Sequence, residues 1–267
     1  MAAFNVSRTN APLVSVITPV FNGAEFLTEA LRSVQSQTLC DWEHILVDDG
    51  STDGSFELIE EATAADSRVR LLRTRERCGP AKARNQGLEC ARGKYVAFLD
   101  ADDLWLPEKL EKCVTWMKSN GCSLAYHDYR HISRDGKRAG ALIAGPDQLD
   151  LQSLHTRRGV GSCLTVVIDL EQLPDFRFPA DYADLNEDFV AWLRLLRKGH
   201  IGCRLPEDLG RYRLSETSRN GNRIASAVAC WRIYRNESKL PLGLALRWWT
   251  QYAWRSFWMH RRAIPRQ

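Results

Sequence analysis

The chain is predicted to be an α/β protein with a mainly parallel central sheet flanked by helices and a helical extension at its C-terminal end. Three observations carry this. Short apolar runs rich in β-branched residues alternate with helical patterns of about ten residues, the signature of βαβ units. The polar motifs PVFN, DDGSTD and DADD each follow directly on such a run, so right-handed crossovers would gather them at one edge of the sheet. An aromatic, basic segment closes the chain.

Residues 14–18 (VSVIT) form the first strand, broken by Pro19 and by Asn22-Gly23. Phe26, Leu27, Ala30, Leu31 and Val34 then recur at helical spacing. Residues 44–47 (HILV) are the second strand, closed by DDGSTDG. Phe56, Leu58, Ile59 and Ala62 outline a second helix, 69–72 a third strand, 81–91 a third helix and 95–99 a fourth strand. A helix is expected from Pro107 to about Asn120, then a strand over 123–132 and a turn at Arg134-Asp135-Gly136-Lys137. Residues 139–160 are Gly-rich and weakly patterned, and 163–168 reads as a strand. An amphipathic helix over 186–198 carries a broad apolar face from Phe189, Val190, Trp192, Leu193, Leu195 and Leu196, and Gly199 stops it.

With 267 residues, 44% hydrophobic and 26% charged, the composition is that of a soluble globular chain able to bury a substantial core. A formal charge of +4 does not by itself point to nucleic acid. The charge is unevenly placed, however. From Trp231 to Gln267 there are eight Arg or Lys residues and one acid, Glu237, together with five of the nine tryptophans. The eight cysteines include no CxxC pair and are expected to be core or surface thiols in a reducing cytoplasm, not a metal or disulfide framework. The opening MAAFNVSRTNAP has no long apolar region, so no secretory leader is expected. No run reaches the ~18–20 apolar residues that span a bilayer.

The densest chemistry lies in YVAFLDADDLWLP, where a buried-type strand ends in Asp100, Asp102 and Asp103. In an extended segment Asp100 and Asp102 point to one side of the chain and can face a single cation. Carboxylates with no neighbouring His or Cys suit Mg²⁺ or Mn²⁺ shared with a phosphorylated ligand. The competing role is capping of the helix near Pro107. In DDGSTDG, a strand-end carboxylate can accept an N–H from a ligand edge such as a pyrimidine, with Ser51 or Asp53 as helix cap the alternative. Phe21 can pack on a flat ring or belong to the core. Lys82, Arg84 and Asn85 sit near a helix start, where anionic phosphate can bind or where the side chains are simply solvated.

Together VSVITPVFNGAEFLTEALRSVQSQT, ILVDDGSTDGS, GPAKARNQGL, GKYVAFLDADDLW and NEDFVAWLRLLRKG resemble glycosyltransferase family 2, whose members have the Rossmann-like GT-A fold. They occur in the family's order over roughly residues 13–215. The resemblance implies an inverting, metal-dependent glycosyltransferase using Mn²⁺ or Mg²⁺ and a nucleotide-sugar donor, commonest as UDP-sugar, with dTDP and GDP sugars as alternatives. It implies that Pro19, Phe21 and Asp49 hold base and ribose and that Arg84 lies near the nucleotide or its diphosphate. Asp100, Ala101 and Asp102 match the DxD motif, with Asp102 the more direct metal ligand and Asp100 closer to the ribose. Asp188 in NEDF matches the general base that takes the acceptor proton; on the residues alone, Asn186, Glu187 and Asp188 equally make a favourable acidic helix start. In one departure, RYRLSETS places Leu214 and Ser215 where many members carry a His, leaving Arg211, Arg213 or Arg219 as substitutes at the diphosphate end.

The expected organisation is a tail over 1–12, a catalytic domain over 13–220 and a basic aromatic extension over 221–267. Within the catalytic domain, a nucleotide-sugar half covers about 13–105 and an acceptor half about 106–220. In the tail, Trp248, Trp249, Tyr252, Trp254, Phe257 and Trp258 interleave with Arg247, Arg255, Arg261 and Arg262. On a helix, 240–262 could lie in an anionic membrane interface or pack on the catalytic domain. The expected location is the cytoplasm, with peripheral contact at the inner face of the cell membrane. The acceptor is expected to be a glycan or a polyprenyl-linked glycan of a surface polysaccharide. Transfer to polyprenyl phosphate, or a catalytically silent nucleotide-sugar-binding subunit, are the rivals. No nucleic-acid partner is expected, because base-stacking aromatics come with a defined platform.

Overall fold

The computed structural model describes residues 11–156, 162–182, 186–214 and 223–262, with side chains over 226–254 in the last stretch. Its first half is a run of βα units: β1 (Val14–Val20), α1 (Ala24–Gln35), β2 (Trp42–Asp48), α2 (Ser55–Ala65), β3 (Val69–Arg73), α3 (Pro80–Cys90) and β4 (Tyr95–Phe98). These strands lie in the order β3-β2-β1-β4 and are parallel throughout. Their carboxyl ends, and the polar loops that follow, therefore share one edge, as expected from the sequence.

The second half adds β5 (Leu104–Trp105), α4 (Lys109–Asn120), β6 (Leu124–Ile132), β7 (Ala139–Ile143), β8 (Gln148–Leu149), α5 (Leu151–His155), β9 (Val166–Asp169), α6 (Glu187–Arg197) and β10 (Gly202–Arg213). Here the pairing is mixed. β9 runs antiparallel to both β4 and β6, and β10 is parallel to β6. Four short or irregular strands, β5, β7, β8 and β10, have no clear sequence pattern. In β10, Pro206 and its acidic neighbours interrupt the apolar alternation, and the register with β6 shifts on both sides of Asp208. A bulge lets a strand tolerate a residue that cannot donate to the ladder.

Side chains alternate between two sheet faces. Ile17, Ile45, Val47, Val96, Phe98, Val166 and Ile168 pack with α3 and α6. Val14, Val16, Tyr95, Ala97, Leu99 and Val167 pack with α1 and α4. On the α3 side the approach is close: a Cβ on Gly87 would lie 2.6 Å from Ile17 Cγ2, so only glycine seats α3 at this depth.

The cysteine expectation needs one correction. Cys122 and Cys203 form a disulfide across 81 residues of sequence. Parallel pairing of β6 with β10 sets Cys203 beside Ala125, which brings its sulfur to Cys122 just before β6. Linear spacing carried no trace of that juxtaposition. Cys40, Cys78, Cys90, Cys113 and Cys163 are free thiols, and Cys230 is buried in the core.

The C-terminal extension is helical, with α7 (Arg223–Arg232), a π-helical turn over Ile233–Glu237 and α8 (Leu242–Arg262). It joins the core beside α3 and α6 through Cys230, Ile233, Tyr234 and Ala245, with Trp231, Trp248, Trp249 and Tyr252 half-buried against them. Polar contacts fix the join. Trp249 Nε1 donates to the Ala227 carbonyl at 2.8 Å, and Tyr234 donates its hydroxyl to the His155 carbonyl. Arg194 donates to Glu237 Oε1 at 2.9 Å.

Candidate active site

The loop after β1 and the loop after β2 are stitched together by the short polar residues of DDGSTDGS. Asn22 N donates to Ser51 Oγ at 3.1 Å, Gly23 N to Ser55 Oγ at 2.9 Å and Ala24 N to Asp53 Oδ2 at 3.0 Å. Thr52 N returns a bond to Asn22 Oδ1 at 2.9 Å, and Asn22 takes the left-handed backbone (φ 50) that Asn tolerates. Much of the motif therefore caps and braces the start of α1. Asp49 differs. It is buried, and its carboxylate accepts from Thr74 Oγ1 at 3.0 Å, Cys78 N at 2.8 Å and Gly79 N at 2.8 Å. It thereby anchors the loop that enters α3 and takes the Cys78 and Gly79 amides just ahead of that helix. Pro19 is paired with Val47 near the end of β1. Phe21 follows at the rim, 36% exposed, with the Arg77 guanidinium 3.8 Å above its ring. Arg77 belongs to the loop that Asp49 holds; nothing in its sequence context marked it.

The loop after β4 lies against this frame. A Cβ on Gly23 would come within 3.1 Å of Ala101 Cβ, so the FNG turn touches the middle of DAD. Arg213, wholly buried at the end of β10, braces the loop from beneath. Its backbone N–H donates to Asp103 Oδ1 at 2.9 Å, and its guanidinium to the Asp102 carbonyl at 2.8 Å, the Arg134 carbonyl at 2.6 Å and Glu29 Oε2 at 2.7 Å. Of the substitutes considered for the family His, Arg213 is therefore committed to the interior. Arg211 donates to Asp208 at 2.5 Å and to the Gly210 carbonyl. Ser215 and Arg219 lie outside the described residues.

Burial, and then the neighbouring Asp100, push the Asp102 carboxyl up to about 6. Asp103 is raised further by burial and by Asp102 and Asp100, and its Oδ2 has no hydrogen-bond partner among the described residues. Negative charge is thus crowded and under-compensated at this strand end, which is where a hard divalent cation fits. Among the described residues no group of three or more His, Cys, Asp or Glu is arranged to hold a metal. The donor set suits an ion that completes its shell from a ligand's phosphates and water.

Arg84 connects these acids to the other motif. It is buried on α3 and donates to Asp100 Oδ1 at 2.5 Å and to Glu187 Oε1 at 2.8 Å. Burial opposes its charge, but Asp100 and Glu187 outweigh that and hold the guanidinium well above its ordinary value. Next to Arg84, Asn85 exchanges two bonds with the Phe178 backbone, at 2.9 and 2.8 Å, fixing the segment ahead of α6. Asn186 adopts φ 65, and the turn delivers Glu187 and Asp188 into the first turn of α6. Asp188 Oδ1 accepts from Phe189 N at 2.7 Å. Two groups, buried Cys163 and half-buried Tyr129, register the convergence. Burial raises the Cys163 thiol, and Asp188, Asp100 and Glu187 all add to the effect. Burial raises the Tyr129 hydroxyl, with Asp103 and Asp188 both contributing.

The fold thus brings the predicted Pro19, Phe21, Asp49, Arg84, Asp100, Ala101, Asp102 and Asp188 to one end of the sheet. Asp188 and the acids after β4 both act on the Cys163 thiol and the Tyr129 hydroxyl. Arg77 over Phe21 and Tyr129 join them without a sequence signal of their own, and Glu187 of NEDF gains a role the sequence did not give it, as the second arm of the Arg84 bridge. Tyr129 also forms an aromatic group with His131 and Tyr212, at ring separations of 5.5–6.3 Å. Chemically the arrangement offers a cation-attracting carboxylate pair, a rim aromatic, and a further carboxylate, Asp188, at a helix start.

Residues 15–161 match the family described as Glycosyl transferase family 2. A Bacillus subtilis (strain 168) protein named for glycosyl transfer in teichuronic acid biosynthesis, TuaG, is 36% identical over 242 residues, covering 91% of this chain and 95% of the relative. The Escherichia coli UDP-Glc:alpha-D-GlcNAc-diphosphoundecaprenol beta-1,3-glucosyltransferase WfgD is 34% identical over 232 residues, 86% of this chain and 88% of that protein. Among solved structures, S. aureus TarS 1–349 in complex with UDP-GlcNAc superposes with a TM-score of 0.68 at 20% identity, over 83% of this chain and 64% of that one. The Pyrobaculum calidifontis mannosyltransferase PcManGT, in complex with GDP-Man and Mn²⁺, gives 0.65 at 21% identity, over 92% and 70%. These two show the same fold.

Proposed function

Since the chain belongs to glycosyltransferase family 2, we propose that it moves a sugar, with inversion, from a UDP-sugar to a glycan or polyprenyl-linked acceptor of a cell-surface polysaccharide. The observation that carries this reading is the Arg84 bridge from Asp100 to Glu187. It ties the acids of the donor motif to the helix start bearing Asp188. Names of relatives support the substrates: WfgD is named for UDP-Glc and a diphosphoundecaprenol-linked GlcNAc, and TuaG for teichuronic acid. The TarS structure with UDP-GlcNAc supports a uridine nucleotide in this fold.

In this reading residues 13–105 form the nucleotide-sugar half and 106–220 the acceptor half. Asp49 and Pro19 shape the base and ribose site, and Phe21 swings from under Arg77 to pack on the base. Asp102, with Asp100 beside it, would hold Mn²⁺ or Mg²⁺, whose charge stabilises the departing diphosphate. Arg84 fixes Asp100 and Glu187 so that neither carboxylate drifts as ligands bind. Asp188 takes the proton of the acceptor hydroxyl while that oxygen bonds to the anomeric carbon. The bond from that carbon to the diphosphate breaks, and the nucleoside diphosphate leaves with the electron pair. One base with attack opposite the leaving group inverts the centre. Tyr129, His131 and Tyr212 border the acceptor side. The protein works at the inner membrane surface, where a lipid-linked acceptor is presented.

Thermal-shift screening of UDP-, dTDP- and GDP-sugars with Mn²⁺ tests the donor assignment. At a hundred times its Kd, a ligand specific for the folded state adds about 2.7 kcal/mol of stability, or roughly 5–10 °C. A UDP-sugar is expected to give that shift, larger with Mn²⁺ than with EDTA. A shift only with GDP- or dTDP-sugars would reassign the donor, and none with any nucleotide would remove the reading.

A further inference from the structure

α8 presents two different faces. Ala245 is buried, and Trp248, Trp249 and Tyr252 pack inward on the catalytic core. Trp248 lies 4.9 Å from the His155 ring and Trp249 lies 6.0 Å from Trp231. These aromatics, which the sequence offered as a membrane-facing set, are thus largely used to dock the helix. A slanting arc that begins beside Trp249 and turns away from the core carries Leu242, Leu246 and Trp254, exposed to 62%, 51% and 67%. Successive steps of four residues in a helix drift by only about 40°, so Leu242, Leu246, Thr250 and Trp254 form one slanting stripe. Arg247 is exposed beside it. Arg232, Arg235 and Lys239 are exposed on the adjoining turns. The one acid of this region, Glu237, is neutralised by Arg194 at 2.9 Å. No helix among the described residues is long and apolar enough to cross a membrane.

Three large apolar side chains along one solvent-facing stripe exceed the scatter expected of an ordinary surface helix. Within residues 231–267 every charged residue other than Glu237 is basic. We propose that the outward face of α8, through Leu242, Leu246 and Trp254 with Arg247 at its margin, docks on an anionic lipid surface. Leucine and tryptophan enter the headgroup boundary while arginine and lysine meet lipid phosphates. A second protein copy would need acidic residues to answer this charge, and the same basic face on a twin repels it. The proposal rests on the reading of a lipid-linked acceptor and names the surface that would hold the catalytic edge near that acceptor.

Removing the helix is an unsuitable test, because Ala245, Trp248 and Trp249 belong to the core. Leu242→Glu/Leu246→Glu changes the exposed stripe and leaves that packing alone. The full chain is sedimented with vesicles of phosphatidylglycerol and phosphatidylcholine in equal parts, and with phosphatidylcholine alone, without donor or acceptor. Wild type is expected to bind the anionic vesicles, and the double variant about tenfold more weakly or less, with an unchanged melting temperature. Arg247→Glu should weaken binding to anionic vesicles and leave the small binding to neutral ones unaltered. Failure of wild type to sediment, or equal binding by the double variant, overturns the proposal. So does a dimer in light scattering that the double variant dissociates, which would assign the stripe to a second copy. Vesicle binding needs no sugar transfer, so the glycosyltransferase reading stands or falls separately, by donor hydrolysis in the same variants.

Discussion

At Arg84 a buried guanidinium meets carboxylates from two motifs 103 residues apart in the case of Glu187, and burial makes each contact worth more than it would be in water. Lysine keeps the charge but lacks the fork that reaches both partners. Arg84→Lys is therefore expected to lower transfer by about tenfold or more and to cost ~1–3 kcal/mol of stability, read by steady-state kinetics and a urea melt. Glu187→Gln can still accept from Arg84 and is expected to be the milder change in both measurements. A loss of stability with kinetics intact would leave Arg84 a purely structural brace. The acids themselves were legible in the sequence, because three carboxylates at the end of an apolar strand have few quiet explanations. The Arg84–Glu187 pairing was not, since side-chain partners across such a separation are set by the fold. The same limit hid Arg213, whose commitment to the interior is visible only once β10 is placed.

Two elements hold the site at a depth that substitution can probe. α3 carries Arg84 and rests on β1 at Gly87. Ile17 is a stiff, fully buried side chain, so Gly87→Ala forces helix and strand apart; a loss of ~1–3 kcal/mol is expected in urea unfolding, with transfer falling as Arg84 shifts. α4 carries an unusual core residue. Lys109 is fully buried, its ammonium lies 3.6 Å from the Trp105 ring centroid, and it has no hydrogen-bond partner among the described residues. Burial lowers it from the ordinary 10.5 to about 7. The unfolded chain therefore holds this proton more tightly than the folded one between those values, and the stability contribution rises with pH across that window. Lys109→Met should raise stability at pH 7 by ~2–4 kcal/mol, less whatever the cation–π contact returns, and should remove that part of the pH slope. Melts from pH 6.5 to 10 check both. The helices and the four parallel strands were readable because their periodicities are strong. Of the strands that complete the sheet, β6 and β9 were readable too, whereas β5, β8 and β10 were not, because β5 and β8 are two residues long and β10 is interrupted by Pro206.

Across the molecule, one parallel sheet edge gathers loops from four strands, and a C-terminal helical pair packs on the core beside α3 and α6. The α/β class and the clustering of motifs follow from strand–helix alternation alone, whereas the docking of α8 depends on which of its aromatics turn inward. Sequence offered both fates for the tail; the structure shows one face of α8 packed on the core, and the exposed stripe is the one proposed to meet lipid. Asp188, at the start of α6, is proposed to remove the acceptor proton in a site whose donor end is built from Asp49, Arg84, Asp100 and Asp102. Asp188→Asn removes the base and keeps the shape, so it separates binding from chemistry. With UDP-sugar and Mn²⁺, the variant is expected to bind donor within about twofold of wild type by calorimetry, while transfer to a lipid-linked acceptor falls by about 10²–10⁴-fold. Near-normal turnover in Asp188→Asn would contradict the account.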